Sequence, residues 1–139
     1  MQNEKLPPYS VESEEAVLGS LLIDGEAIIR LTPMLDAGDF FSDHNGWIYA
    51  ACLALYEREE AINLITVADE LRRRDKLEEC GGPAYLAQLT VDVPTPLHAE
   101  HYAGIVKRTA LMRRLIQAAG KIAQVGYDNP HDTDRALSE

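Results

Sequence analysis

Between His98 and Tyr127 no proline interrupts the chain, and Pro130 is the next residue that must stop a helix. The segment is rich in good helix formers and predicts one long helix. Two apolar stripes run along it. Tyr102, Ile105, Met112, Ile116, Ala119 and Ala123 form one. Leu111, Leu115, Ala118, Ile122 and Val125 form the other, with the alternating four and three spacing of a helix-pairing seam. Ile116 and Ile122 lie about 120° apart on such a helix, whereas a surface helix ordinarily shows a single apolar face. Both faces therefore want partners: one a return helix, the other a second subunit or another protein. The competing arrangement packs both stripes on residues 1–95. Charge opposes it, because Lys107, Arg108, Arg113, Arg114 and Lys121 sit among the stripes and need solvent or acidic neighbours.

The preceding residues read as a compact helical globule. Ser10 is a good N-cap, and Glu12, Glu14 and Glu15 favour the positive end of a first helix. Val17, Leu18, Leu21 and Leu22 give that helix a stripe, and Asp24-Gly25 ends it. Gly19 costs about 1 kcal/mol relative to alanine inside a helix; close approach of a neighbouring backbone is the expected reason. A short second helix opens at Glu26 and is interrupted by Pro33, and Phe40 and Phe41 read as core plugs. Ser42 or Asp43 caps a third helix to about Arg58, with Trp47, Ile48, Ala51, Cys52, Leu55 and Tyr56 on one face. Ile62 to Ile65 could be extended. Thr66, with Asp69 three residues on, resembles a capping box for a fourth helix. Gly81-Gly82-Pro83 breaks the chain and starts a fifth, and Pro94 and Pro96 mark a kinked connection. Asp132-Thr133-Asp134 looks like the cap of another helix, of which about one turn precedes Glu139. The expected fold is all-α. Residues 1–9 form a mobile leader, 10–96 a globular subdomain, and 97–139 the first helix and truncated second helix of a helical hairpin.

Apolar residues make up 46% of the 139, enough for one real core. The net charge of −10 argues against a general nucleic-acid coat, which needs a basic surface. The charge is uneven: residues 1–100 carry 7 basic and 19 acidic side chains, whereas 101–127 carry five basic ones and no acid. Cys52 and Cys80 read as reduced thiols of a cytoplasmic protein, and no apolar run approaches membrane-spanning length. There is no Gly-x-x-x-x-Gly-Lys-Ser/Thr phosphate loop and no Gly-x-Ser-x-Gly elbow. His98 and His101 could share a helix face but read as a solvated pair. Glu14-Glu15 and Glu78-Glu79 read as solvated carboxylates beside a helix start or loop, and Arg72-Arg73-Arg74 as a solvated helix end. No catalytic site, metal site or cofactor is expected in these residues.

The assembled residues resemble a known family. Pro7-Pro8-Tyr9-Ser10-Val11-Glu12 leading to Val17-Leu18-Gly19 is similar to the opening of the N-terminal domain of bacterial DnaB-type replicative DNA helicases. So are Asp39-Phe40-Phe41 with His44 and Ile48-Tyr49, then Ile65-Thr66 with Leu71. Leu77-Glu78-Glu79-Cys80-Gly81-Gly82-Pro83-Ala84-Tyr85-Leu86 with Leu89 resembles the family's glycine pair and Tyr-Leu signature. Tyr102-Ala103, Ile105-Val106 and Arg114-Leu115-Ile116 resemble the start of its hairpin. The likeness covers about residues 6–128, and it is the order and spacing of individually weak motifs that make it specific. In one departure, Glu59-Glu60-Ala61 stands where the family often has a glycine, which leaves that turn open.

The resemblance implies a helical globule with a two-helix hairpin. Six copies pair their hairpins into dimers, and three dimers make a collar. A linker then leads to an ATP- and Mg-dependent motor that unwinds DNA at the replication fork and is absent from these residues. The collar docks the C-terminal domain of primase and, in some bacteria, a helicase loader; DNA is met through the hexamer rather than by this domain. Carried onto this sequence, Tyr85, Ile116 and Ile122 are the candidates for primase contact. Leu111, Met112, Leu115 and Ala118 are the candidates for dimerisation. Tyr85 could instead be ordinary core. The alternatives are the helicase-binding C-terminal domain of a primase, which has a similar fold, a stand-alone helical adaptor, and a small enzyme using the acidic clusters.

Overall fold

The computed structural model describes residues 6–93 and 98–138. Among these are seven α-helices and no strand. They are α1 (Val11–Ile23), α2 (Ile28–Leu31), α3 (Asp43–Glu57), α4 (Leu64–Arg73), α5 (Gly82–Val91), α6 (Ala99–Asp128) and α7 (Thr133–Ser138). Single 3₁₀ turns at Gly25–Ala27 and Ala37–Asp39 precede α2 and α3. Pro94 and Pro96, and with them the expected kink, lie outside the described residues.

Helix α1 is the axle of the globule. Ser10 caps it by accepting from the Ser13 amide at 3.2 Å, and α3, α4, α5 and α6 all pack around it. Its residues from Ala16 to Leu22 are buried without exception. That explains why the apolar run is nearly continuous there: a helix covered on every side has no solvent face to mark with polar residues. Gly19 sits where α1 meets α5. A Cβ at this position would collide with the Leu89 carbonyl oxygen and the Val93 side chain, so the close approach expected from the sequence is present.

Helix α3 starts at Ser42, whose hydroxyl accepts from the Asn45 amide. It buries Ile48, Tyr49, Ala51, Cys52 and Leu55. Tyr49 belongs to the core although the expected stripe omitted it. Its hydroxyl donates to the Leu35 carbonyl at 3.1 Å, which lets a polar tip enter an apolar interior. Phe40 plugs the core as expected and packs against Tyr49. Phe41 does not; it is half exposed and stacks on Tyr9. Tyr9, the last residue of the expected leader, thus contacts the globule.

The expected start of α4 needs correction. Asn63, not Thr66, is the cap: its side chain accepts from Ile65 and Thr66 amides at 2.9 and 3.0 Å. The Thr66 hydroxyl returns the favour by accepting from the Asn63 amide at 2.9 Å. This reciprocal box draws Leu64 and Ile65 into helix, so the segment before Thr66 is not extended. Arg72–Arg74 are not simply solvated either. Arg73 and Arg74, with Arg58 from the end of α3, converge on the buried carboxylate of Glu70 at 2.8–3.0 Å. Hydrogen bonds from Arg58 and Arg74 hold that carboxyl down at about 2.

Helices α3 and α4 stop in the same way. Glu59 and Asp75 take left-handed φ of 60° and 57°. In each case two amides turn back onto the last turn: Glu59 to Tyr56 and Glu60 to Leu55, then Asp75 to Arg72 and Lys76 to Leu71. This is the helix-ending motif that glycine ordinarily serves. It resolves the turn left open at Glu59-Glu60-Ala61.

Two substitutions read these backbone constraints in opposite directions. Gly19→Ala gains about 1 kcal/mol of helix propensity but forces a methyl into a backbone carbonyl, at an overpacking cost of about 1–3 kcal/mol or more. The net expectation is a lower urea midpoint. Glu59→Gly removes left-handed strain and should raise the midpoint by an amount worth roughly 1 kcal/mol at most.

Candidate docking and assembly site

Helix α6 changes character halfway along. Its first half lies on the globule through Ala99, Ala103, Val106 and Ala110, all buried. The same line of the helix continues as Arg113, Arg114, Gln117, Lys121 and Gln124, a polar series that could not be buried against α1. The apolar line that packs on the globule is thus neither of the two stripes expected to matter. Tyr102 and Ile105 of the first stripe are only half-buried beside it.

The point of departure is fixed by Asp39. Its carboxylate is fully buried, accepts from the Asp36 amide at 2.8 Å and is met by Lys107 at 3.1 Å and by Arg114. The Asp39 carbonyl oxygen accepts from Arg113 at 2.7 Å. Burial works to raise this carboxyl, but the Asp36 amide, Arg114 and Lys107 outweigh it, and its pKa lies below the ordinary 3.8. Two of the basic residues that needed acidic neighbours, Lys107 and Arg114, have found one, and Arg113 is satisfied by backbone carbonyls instead. Arg108 and Lys121 are exposed.

Beyond Ala110 the helix leaves large apolar side chains uncovered. Leu111 and Met112 are about half exposed, and Leu115, Ile116 and Ile122 are 63%, 55% and 74% exposed; Ala118 is exposed too. The stripes do not sort the candidates by role. Ile122 shares a line with Leu111, Leu115 and Ala118, while Met112 shares one with Ile116. Helix α7, capped where Asp132 accepts from the Arg135 amide at 3.0 Å, brings Ala136 beside Lys121, Ile122 and Val125.

Tyr85 stands apart from these residues. It lies on α5 and lines a cleft of about 90 Å³ with Tyr102, Leu89, Ala16, Glu12, Glu15, Gln88 and Asp92. Tyr102 precedes Ile116 by about 21 Å along α6. The Tyr85 hydroxyl donates to Asn45 Oδ1 at 2.7 Å and lies 3.5 Å from Glu15; burial and the Glu15 charge push its pKa up to about 12. Asn45 in turn donates to Glu14 at 3.0 Å. Glu14 also accepts from the Phe41 and Ser42 amides at 2.6 and 3.3 Å. Glu14 is buried, so its reading as a solvated carboxylate is corrected: it fixes the entry to α3. Its spacing from Ser10 pointed to a helix start, and nothing in the sequence pointed to a loop 27 residues further on.

Residues 6–108 match the sequence pattern of the DnaB-like helicase N terminal domain. The chain belongs to this family. The DnaB-type helicases it is similar to include the replicative DNA helicase DnaC of Bacillus subtilis, 40% identical over 137 residues, and the DnaB of Geobacillus stearothermophilus, 39% identical over 137 residues. Each alignment covers 99% of this chain and 30% of the relative, so the chain spans less than a third of their length. The crystal structure of the N-terminal domain of DnaB helicase from Mycobacterium tuberculosis superposes with a TM-score of 0.88 at 40% identity, covering 96% of both chains. A DnaB-like replicative helicase, described with its interactions with primase, superposes with a TM-score of 0.76 at 26% identity over 93% of this chain and 29% of its own. The exposed half of α6 lies past the matched pattern but within these longer alignments.

The DnaB-type domain should reveal its clasp on acidification. Asp39 has a folded pKa below 3.8, so its contribution is complete above that value and lost as pH falls through the folded one. Asp39→Asn should lower stability at neutral pH by about 1–3 kcal/mol and flatten the acid limb of the urea-midpoint profile. An unchanged acid limb would remove Asp39 from the account, leaving Glu70 to carry it.

Proposed function

We propose that this chain is the collar domain of a hexameric replicative DNA helicase, a module for subunit pairing and partner docking rather than catalysis. The observation that carries the reading is the row of large apolar side chains on α6 beyond Ala110, exposed on two lines and held off the globule. Leu111, Leu115 and Ala118, with Met112, pair with a second copy, and three such dimers close the ring. Ile116 and Ile122, with Tyr85 on the globule, receive the C-terminal domain of primase; in some bacteria a helicase loader docks on the same collar. Support comes from family membership and from the related helicase described with its interactions with primase. ATP and Mg belong to the motor of such a helicase, which also engages the DNA. The deepest carboxylates, Glu14, Asp39 and Glu70, are taken up by amides and basic side chains of the chain itself, which disfavours an enzyme built on acidic clusters.

Titration calorimetry against a primase C-terminal domain tests the docking face. Ile116→Ala and Ile122→Ala should each weaken binding by about tenfold or more with helicity unchanged. Wild-type affinity in both would discard this choice of residues. Pairing is tested separately by sedimentation velocity: the wild type should form dimers as concentration rises, and Leu115→Asp should stay monomeric. A wild type and Leu115→Asp that sediment alike would remove the seam.

A further inference from the structure

The place where α6 leaves the globule is also crossed by the N-terminal segment. Arg113 donates one Nη to the Pro8 carbonyl at 2.8 Å and the other to the Asp39 carbonyl at 2.7 Å. Its guanidinium lies 5.4 Å from the centroid of Phe41, which also stacks on Tyr9, ring centroids 4.4 Å apart and 16° from parallel. One arginine thus joins the leader, the loop before α3 and the free half of the long helix. Among the described residues, 115–128 make no hydrogen bond or ion pair with the globule. The direction of this half is therefore set at its root.

We propose that Pro8 and Tyr9 form a positioning strap: by gripping Arg113 and Phe41 they fix the direction in which α6 projects from the globule. Asp39 holds this turn of the helix through its carboxylate, on Lys107 and Arg114, and through its carbonyl, on Arg113; the strap adds a second hold on Arg113, from the N-terminal segment. The buried line of α6 ends at Ala110, so without the strap only Asp39 steadies the helix beyond it, and Gln124, about 16 Å beyond Arg113, magnifies any swing. The grip combines a charge-assisted hydrogen bond with a cation–π contact and a ring stack. None of these is buried deeply enough to be required for folding the globule.

The test uses the free chain and needs no docking partner, so its outcome is independent of the collar reading. Spin labels placed by Glu57→Cys and Gln124→Cys report the distance from the end of α3 to the free half of α6. Cys52 and Cys80 are buried, with thiol pKa values raised to about 12 and 11, and stay unlabelled in the folded chain. The wild type should give one narrow distance distribution. Tyr9→Ala and Arg113→Gln should each broaden it while leaving the thermal midpoint of the globule in place. The double variant should be no broader than Arg113→Gln alone, since that change already cuts the strap along with the Asp39 carbonyl bond. Tyr9→Phe, which keeps the ring stack, should restore the narrow distribution. An unchanged distribution in Tyr9→Ala, or a broad one in Tyr9→Phe, overturns the proposal.

Discussion

The buried carboxylate of Asp39 is the constraint on which the architecture turns. It sits in a short turn before α3, yet its partners come from α6, some 70 residues later in sequence. A carboxylate in that position would be untenable alone, and removing its partners would leave a buried charge uncompensated. Lys107 and Arg114 must therefore arrive together, which brings the long helix to one place on the globule. Beyond that place the helix leaves the globule with its large apolar side chains mostly uncovered. The family's assembly and docking chemistry, as proposed for this chain, begins at the turn where this ionic grip ends.

Two other acids organise the globule in the same manner. Glu14 gathers two loop amides and Asn45, and through Asn45 the Tyr85 hydroxyl. Glu70 gathers the arginines at the ends of α3 and α4. Each lies where a helix would otherwise leave unpaired amides or cations near the core. The chain is strongly acidic overall, but its most consequential acids are spent internally, and the surface charge overstates how many carboxylates are free to meet a partner.

The sequence disclosed what is periodic and local. The long helix was legible from its missing prolines, Gly19 from the penalty it carries inside a helix, and Ser10 and Ser42 from the oxygen a helix start requires. The fold class followed, and the family resemblance with it. What escaped was non-local. Nothing near Glu14 announces Phe41, and nothing near Asp39 announces Arg114, because pairs so far apart in sequence leave no periodic trace. Two apolar stripes are visible on α6, but the third line, three alanines and Val106, carries no large side chains to mark it as the packed face. The apolar Leu64 and Ile65 point to Thr66 as the cap in sequence, whereas the reciprocal Asn63–Thr66 box draws both into the helix. For the candidate site, the sequence located the exposed residues of α6 but could not separate Tyr85 from them, a distance only the packing of α5 reveals.

That alanine line has a consequence for how the long helix can move. Alanine has no side-chain rotamers to lose on burial, and its short methyl lets helix backbones approach closely. Ala99, Ala103 and Ala110, with the χ1-stiff β-branched Val106 among them, therefore give α6 a base with little rotameric slack, where longer side chains could hop between wells and let the joint rattle. With Arg113 also gripped by the N-terminal segment, thermal energy in the exposed half has little outlet at that base. It is left to gentle bending of the helix itself, the way a cantilever flexes along its free length and not at its mount.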